Sequence, residues 1–205
     1  MANITIVSMG PGSIDHLTWE AVQALYNADI LIGSKKFKDL YPEYVMLSSD
    51  HLVESTIQLV KENLDKKIAV LVTGDAGFYS LGKSIIREFG RENVNVVAGV
   101  SVVQLAFAKL CEPWQDARFI SVHGRDAEVI DGIIDDKFLI LCDNKNSAAN
   151  IVSKLIGLIE SHDIFVMEDL GLENEKITTI QNPTDTEKLN NSSLSVVIGI
   201  RREHE

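Results

Sequence analysis

Lys67 to Thr73 reads KIAVLVT, an apolar and largely β-branched run with no polar alternation. Such a run suits a strand of a parallel sheet that is covered on both faces. Leu81, Ile85, Ile86 and Phe89 then fall on one face of a helix. Between the two stands Gly74-Asp75-Ala76-Gly77-Phe78-Tyr79-Ser80. This glycine-containing loop therefore sits at the carboxyl end of a strand, where open α/β sheets bind their ligands. Glycines there allow close backbone approach, and Asp75 offers an acceptor for an ammonium or hydroxyl group. An ordinary strand–helix turn capped by Asp or Ser accounts for the same residues.

The alternation of strand, loop and helix extends along the chain. Asn3 to Met9 is a strand, stopped by Gly10-Pro11-Gly12. Thr18 is an N-cap with Glu20 in the first turn, and Ala21, Val22, Leu25 and Ala28 give the helix an apolar face. Ile30 to Ile32 is a short strand ended by Gly33, and a short helix is predicted from Lys35 to Leu40, ended by Pro42. Val53, Ile57, Val60 and Leu64 have helical spacing, and Val94 to Val97 is a strand. After Gly99-Val100, Ser101 and Gln104 form a capping box for a helix through Leu110.

Glu112-Pro113-Trp114 breaks that helix, so domains are expected at 1–112 and 113–205. Phe119 to Val122, Phe138 to Cys142 and Asp163 to Met167 are strands. Asp126 caps a helix that turns Val129, Ile130 and Ile133 inward, and Ser147 caps one carrying Ile151, Leu155, Leu158 and Ile159. Glu175 to Ile180 and Leu194 to Ile200 leave no room for a helix between them, with Pro183 in the gap. They are expected as an antiparallel pair at the edge of a mixed second sheet. The fold class is α/β: two α/β domains, the second with a mixed sheet, and an interdomain cleft of the kind that takes small ligands.

Several chemistries are excluded by the loops. Asp15 stands where GxGxxG needs its third glycine after Gly10 and Gly12, and Gly33 and Ser34 follow the second strand instead of an acid. No GKS, GKT or GxSxG occurs. His16, His51, His123, His162 and His204 show no HExxH spacing, and Cys111 and Cys142 are the only thiols, so no metal site is expected. A net charge of −11 disfavours nucleic acid. Local cations for an anionic small molecule are Arg118, Arg125 and the cluster Lys35-Lys36-Phe37-Lys38, whose plain reading is a solvated helix face. No apolar run approaches the ~20 residues of a membrane span. The start, MANITIVSM, has no signal-peptide features, and a cytoplasmic location is expected. Few strong acid–base groups remain, which suits a reaction whose reactivity lies in a bound cofactor.

Certain residues carry a specific resemblance. Gly10-Pro11-Gly12, Leu17-Thr18, Ala21, Leu25, Ala28-Asp29, the stretch Gly74 to Ser80 and Gly99-Val100-Ser101 resemble the tetrapyrrole methylase family, the class III S-adenosylmethionine-dependent methyltransferases. Gln104 to Ala108, Pro113 to Ala117, Ser121 to Arg125, Asp143 and Asn146-Ser147 are similar to the cobalamin-pathway branch, of the precorrin-6Y methylase type, that methylates C5 of precorrin-7 or cobalt-precorrin-7. Ala76 and Ala98 stand where the family usually has proline, and Val102 where a second serine often follows Ser101. Loss of proline leaves a loop less pre-organised.

The resemblance implies S-adenosylmethionine as cofactor and a reduced tetrapyrrole as substrate, bound in the interdomain cleft. It places the cofactor against Gly74, Asp75, Gly77, Phe78 and Tyr79, with Ser101 and Val102 at the next helix and Cys142 and Leu170 from the second domain. It puts Gly10, Pro11 and Gly12 on the tetrapyrrole side. It further implies a homodimer; many relatives carry a fused second methyltransferase that acts at C15 and decarboxylates, and since this chain ends at Glu205 a separate protein is expected for that step. His123 and Arg125 are candidates for substrate carboxylates, because arginine pairs with them bidentately, or for a domain-packing ion pair. Ser101 is also a plain N-cap, Cys142 also a small buried hydrophobe, and Trp114 a packing residue of the domain junction. Rival functions are methylation of another acceptor, such as a different macrocycle carbon, and a non-catalytic module that binds the cofactor or a tetrapyrrole.

Overall fold

The computed structural model describes residues 3–37, 45–47, 51–133 and 135–202. The chain forms two compact units, residues 1–102 and 103–205. The break expected at residue 112 lies one helix beyond that division.

The first unit contains β1 (Ile4–Ser8), α1 (Trp19–Tyr26), β2 (Ile30–Gly33), β3 (Val45–Leu47), α2 (Leu52–Lys61), β4 (Ile68–Val72), α3 (Gly82–Phe89) and β5 (Val94–Val97). Its sheet has the order β3-β2-β4-β1-β5, and every pairing is parallel. The alternation within β4 explains why its sequence shows no polar face. Ile68, Val70 and Val72 pack with Val60 of α2 and Ile85 of α3. Ala69 and Leu71 pack on the other face with Ala21 and Leu25 of α1. All five residues of β4 are buried, as the unbroken apolar run requires. The chain leaves β1 toward β2 across the α1 face, and leaves β4 toward β5 across the α3 face. Neighbours β1 and β4 thus send their connections in opposite directions. That is a topological switch point, the place where such sheets open a ligand crevice at their carboxyl edge.

Thr18 caps α1, accepting from Ala21 N. Residues 35–37 form one 3-10 turn; the rest of the helix expected there, with Lys38 and Pro42, lies outside the described residues. α2 stops at Lys61, which leaves Leu64 beyond the helix and half-exposed.

α4 (Val102–Leu110) leads into the second unit, with β6 (Arg118–Ser121), β7 (Lys137–Leu141), α5 (Ala148–Lys154), β8 (His162–Glu168), β9 (Lys176–Ile180) and β10 (Ser195–Arg201). The sheet order is β6-β7-β10-β8-β9. β6 and β7 are parallel, whereas β10 runs antiparallel to both β7 and β8, and β9 antiparallel to β8. The expected pair of tail strands is corrected here. β9 holds the edge, but β10 lies in the middle of the sheet and does not pair with it. Composition gives the reason: β10 has Val196, Val197 and Ile198 buried in succession, the mark of a central strand, while β9 alternates exposed Ile177 and Thr179 with buried Thr178 and Ile180. A second correction concerns Ala127–Ile130, which is a short 3-10 helix that the Asp126 side chain does not cap. Ile130 and Ile133 are buried as expected, but Val129 is exposed. Ser147 caps α5 through Asn150 N.

Candidate functional site

Three turns meet at the carboxyl edge of the first sheet. After β1 the chain runs through Gly10-Pro11-Gly12, after β4 through Gly74 to Ser80, and after β5 through Gly99-Val100-Ser101. The first two are joined by an isolated antiparallel bridge: Gly74 N donates to Gly10 O at 2.8 Å and Gly10 N to Gly74 O at 3.3 Å. Gly74 has φ +67° and little around it; an added Cβ would find only the Ser101 Cα, 3.9 Å away. Its backbone is bare, and open to close approach. Gly10 differs, because a Cβ there would strike the His16 Cβ at 2.9 Å. Gly10 and Pro11 are buried, and Gly12 is the exposed member of the turn.

Asp75 stitches this edge. Its Oδ1 accepts from Gly77 N at 2.8 Å and its Oδ2 from Gly99 N at 3.0 Å. Each carboxylate oxygen keeps a second lone pair for a ligand donor. Phe78 is half-buried and meets exposed Tyr79 edge-on, ring centroids 4.8 Å apart. Tyr79 has φ +47°, an uncommon conformation for a bulky residue and one that clusters at functional sites. Ser80 accepts from Gly82 N at 3.0 Å, which ties the loop to the start of α3. Ser101 is buried, and Val102 behind it begins α4. The predicted residues Gly10, Pro11, Gly12, Gly74, Asp75, Gly77, Phe78, Tyr79, Ser101 and Val102 therefore share one edge of one sheet.

The second unit gathers its candidates likewise, at the carboxyl ends of β6, β7 and β8. Val122-His123-Gly124-Arg125 is a turn closed by Arg125 N to Val122 O at 3.0 Å, with Gly124 at φ +66°. His123 and Arg125 are exposed. Asp143 and Asn146 hold this turn from the next loop. Gly124 N donates to Asp143 Oδ2 at 2.7 Å, and Asn146 Nδ2 donates to Val122 O and Arg125 O at 3.1 and 2.9 Å. Burial pushes the Asp143 carboxyl pKa up. The backbone donors of Asn146 and Gly124 and the nearby His123 outweigh it and hold the pKa below the usual value.

Cys142 directly follows β7 and is buried, with its amide donating to Ser195 O at 3.0 Å. Burial pushes its thiol up to about 12, so it is neutral near pH 7 and behaves as a small apolar group. Leu170, also buried, follows β8 between Asp169 at φ +52° and Gly171 at φ +78°. Among the described residues no group of three or more His, Cys, Asp or Glu is placed to hold a metal ion. No helix of the described chain is long and apolar enough to cross a membrane.

Sequence reasoning missed Ser8 and the full role of Gly99. Ser8 is wholly buried; its hydroxyl donates to Val97 O at 2.7 Å and accepts from Ala76 N at 2.9 Å. A Cβ on Gly99 would lie 2.4 Å from the Ser8 Cβ. The available signal was a small hydroxyl side chain at the carboxyl end of the strand ITIVS, where apolar Ile6 and Val7 give way to the glycine turn.

The sequence profile of the tetrapyrrole (corrin/porphyrin) methylases matches residues 3–183. A protein of Methanocaldococcus jannaschii named as a probable cobalt-precorrin-7 C(5)-methyltransferase is 32% identical over 85% of this chain and 87% of its own length. The cobalt-precorrin-7 C(5)-methyltransferase of Salmonella typhimurium is 30% identical over 85% of this chain and 88% of its own. The crystal structure of uroporphyrin-III C-methyltransferase from Thermus thermophilus, complexed with S-adenosylhomocysteine, superposes with a TM-score of 0.76. It covers 96% of each chain at 16% identity, a likeness of fold.

Proposed function

Because the chain belongs to the tetrapyrrole (corrin/porphyrin) methylase family, we propose that it is an S-adenosylmethionine-dependent C-methyltransferase of cobalamin biosynthesis, acting on C5 of cobalt-precorrin-7 or precorrin-7. One observation carries this reading: over 85% of its length the chain follows relatives named for that reaction, at 30% and 32% identity.

The residues at the first sheet's edge fit the cofactor. Gly74 leaves bare backbone beside Ser101, Phe78 and Tyr79 supply flat apolar surface, and the Asp75 carboxylate suits a cationic ligand. When bound, S-adenosylmethionine supplies a methyl group already activated on a sulfonium. The protein is left with binding, alignment and exclusion of water, and alignment alone is worth up to ~7–11 kcal/mol. In this reading Gly74, Asp75, Gly77, Phe78, Tyr79, Ser101, Val102, Cys142 and Leu170 are the residues that bind the cofactor. Gly10-Pro11-Gly12 lines the tetrapyrrole side. The Val122–Arg125 turn, braced by Asp143 and Asn146, presents Arg125 and His123 to the macrocycle's carboxylates.

The two relatives described above are named for C5 alone, which supports assigning methylation and decarboxylation at C15 to a separate protein. The enzyme is further proposed to be a cytoplasmic homodimer, which light scattering on the purified protein and cell fractionation check. The test of function is incubation with S-adenosylmethionine and each macrocycle, with and without cobalt, followed by product mass and NMR. One added methyl at C5 is the expected result, and the preferred macrocycle identifies the substrate. A methyl at another carbon, or cofactor binding without transfer, overturns the C5 assignment.

A further inference from the structure

We propose that Ser8 is a positioning residue for the cofactor, one that sets the turns after β4 and β5 in fixed register with each other. The proposal rests on the reading of those turns as the cofactor's seat. Ser8 ends β1, the strand between β4 and β5. It is 0% exposed, and its hydroxyl donates to Val97 O, at the end of β5, at 2.7 Å and accepts from Ala76 N, in the turn after β4, at 2.9 Å.

Asp75, next to Ala76, accepts from Gly99 N at 3.0 Å. The hydrogen bonds therefore form a closed circuit, from Ser8 to Ala76, along the chain to Asp75, across to Gly99, back along the chain to Val97 and again to Ser8. Gly99 tightens the circuit, because a Cβ there would fall 2.4 Å from the Ser8 Cβ and 3.4 Å from Gly74 O. Glycine lets that turn lie directly on Ser8. Removing the hydroxyl leaves the Ala76 N–H and one carbonyl buried without their partner, and both turns then gain the freedom to shift. Displacements of about 1 Å at such supports are felt at the reacting atoms.

Ser8→Ala keeps the Cβ and removes only the hydroxyl. Ile164→Val, in the buried core of the second unit, is the control for a loss of stability alone. Calorimetry with S-adenosylhomocysteine and backbone amide hydrogen exchange are measured on the parent and both variants. Ser8→Ala is expected to weaken S-adenosylhomocysteine roughly ten-fold, about the size of one of the two buried hydrogen bonds it removes. It is expected to speed exchange in residues 74–80 and 97–101 without changing exchange in β8. Ile164→Val is expected to lower the melting temperature and leave affinity and loop exchange at parental values. Parental affinity, or parental exchange in residues 74–80, in Ser8→Ala overturns the role. An equal loss of affinity in Ile164→Val overturns it as well, by making the effect one of stability. A parent protein that binds no S-adenosylhomocysteine overturns the cofactor reading itself, whatever the exchange data show, and the role with it.

Discussion

Ala76 shows how a single residue changes the way a loop is held. The family resemblance leads one to expect proline there, and its absence to leave the loop looser. The structure holds the loop by other means: the Ala76 N–H donates to Ser8, and Asp75 bonds both Gly77 and Gly99. Proline has no N–H to give. Ala76→Pro is therefore expected to destabilise the protein, since leaving the buried Ser8 oxygen without its donor costs about 1–3 kcal/mol against the ~0.4–1 kcal/mol that a stiffer loop returns. In a double-mutant cycle, Ser8→Ala should cost less in the Ala76→Pro background than alone, because the donor has already gone. Urea denaturation measures both; a rise in stability for Ala76→Pro would remove the argument. Arg125 supports a separable prediction, because its turn is fixed by Asn146 and Asp143. Arg125→Ala should raise KM for the tetrapyrrole by ten-fold or more, on the order of one charge-assisted hydrogen bond, and leave S-adenosylmethionine affinity unchanged. An equal loss of both, read from initial rates and calorimetry, would assign Arg125 to architecture.

Among the elements, those with one strong local pattern were legible in sequence. β4 announced itself because both of its faces are buried, and α1 because Thr18, Glu20, Ala21 and Leu25 state cap, dipole and core face together. The glycine positions of the site were legible too, since Gly74 and Gly124 adopt positive φ that other residues resist. What escaped was pairing at a distance. The antiparallel neighbours of β10, namely β7 and β8, lie far back in the chain, and nothing local in β9 or β10 names a partner. Ser8 escaped for the same reason, since its partners are Ala76 and Val97. The position of β10 has a consequence at Gly199. A Cβ on that residue would come within 2.1 Å of Phe138 Cζ, on a ring that is wholly buried in β7. Gly199→Ala is expected to cost at least ~1–3 kcal/mol, the range for overpacking a closed core. Adding Phe138→Leu should recover part of that loss. Urea midpoints for the single and double variants decide it; an edge position for β10 would make Gly199→Ala harmless.

The whole molecule carries a net charge of −11 at pH 7 with a pI near 4.9, so its response to acid combines a global and a local effect. From pH 7 toward 5 the net charge shrinks and self-repulsion falls, which favours the compact state. Below that range two carboxylates with lowered pKa values contribute. Asp185 is held down to about 2 by its hydrogen bond from Lys188 and the backbone donors of Gln181 and Asn182. Asp143, despite burial that pushes it up, is held below its usual value by Asn146, Gly124 and His123. Both folded pKa values lie below the unfolded value of about 3.9. Their stabilisation is therefore fully present above about pH 4 and disappears as the pH falls through the folded values, toward 2 for Asp185. The melting temperature should hold or rise between pH 7 and 5, then drop steeply below pH 4. Asp185→Asn isolates the local part: it should lower the melting temperature at pH 7, where the parent carboxylate is charged and bonded to Lys188. At pH 2 its deficit should shrink, because half or more of the parent's charge is gone there. Differential scanning calorimetry of parent and variant at pH 7, 5, 3 and 2 makes the comparison. A deficit that stays constant across that range would mean that Asp185 acts through shape and hydrogen-bond count, and that acid unfolding of this chain begins at other carboxylates.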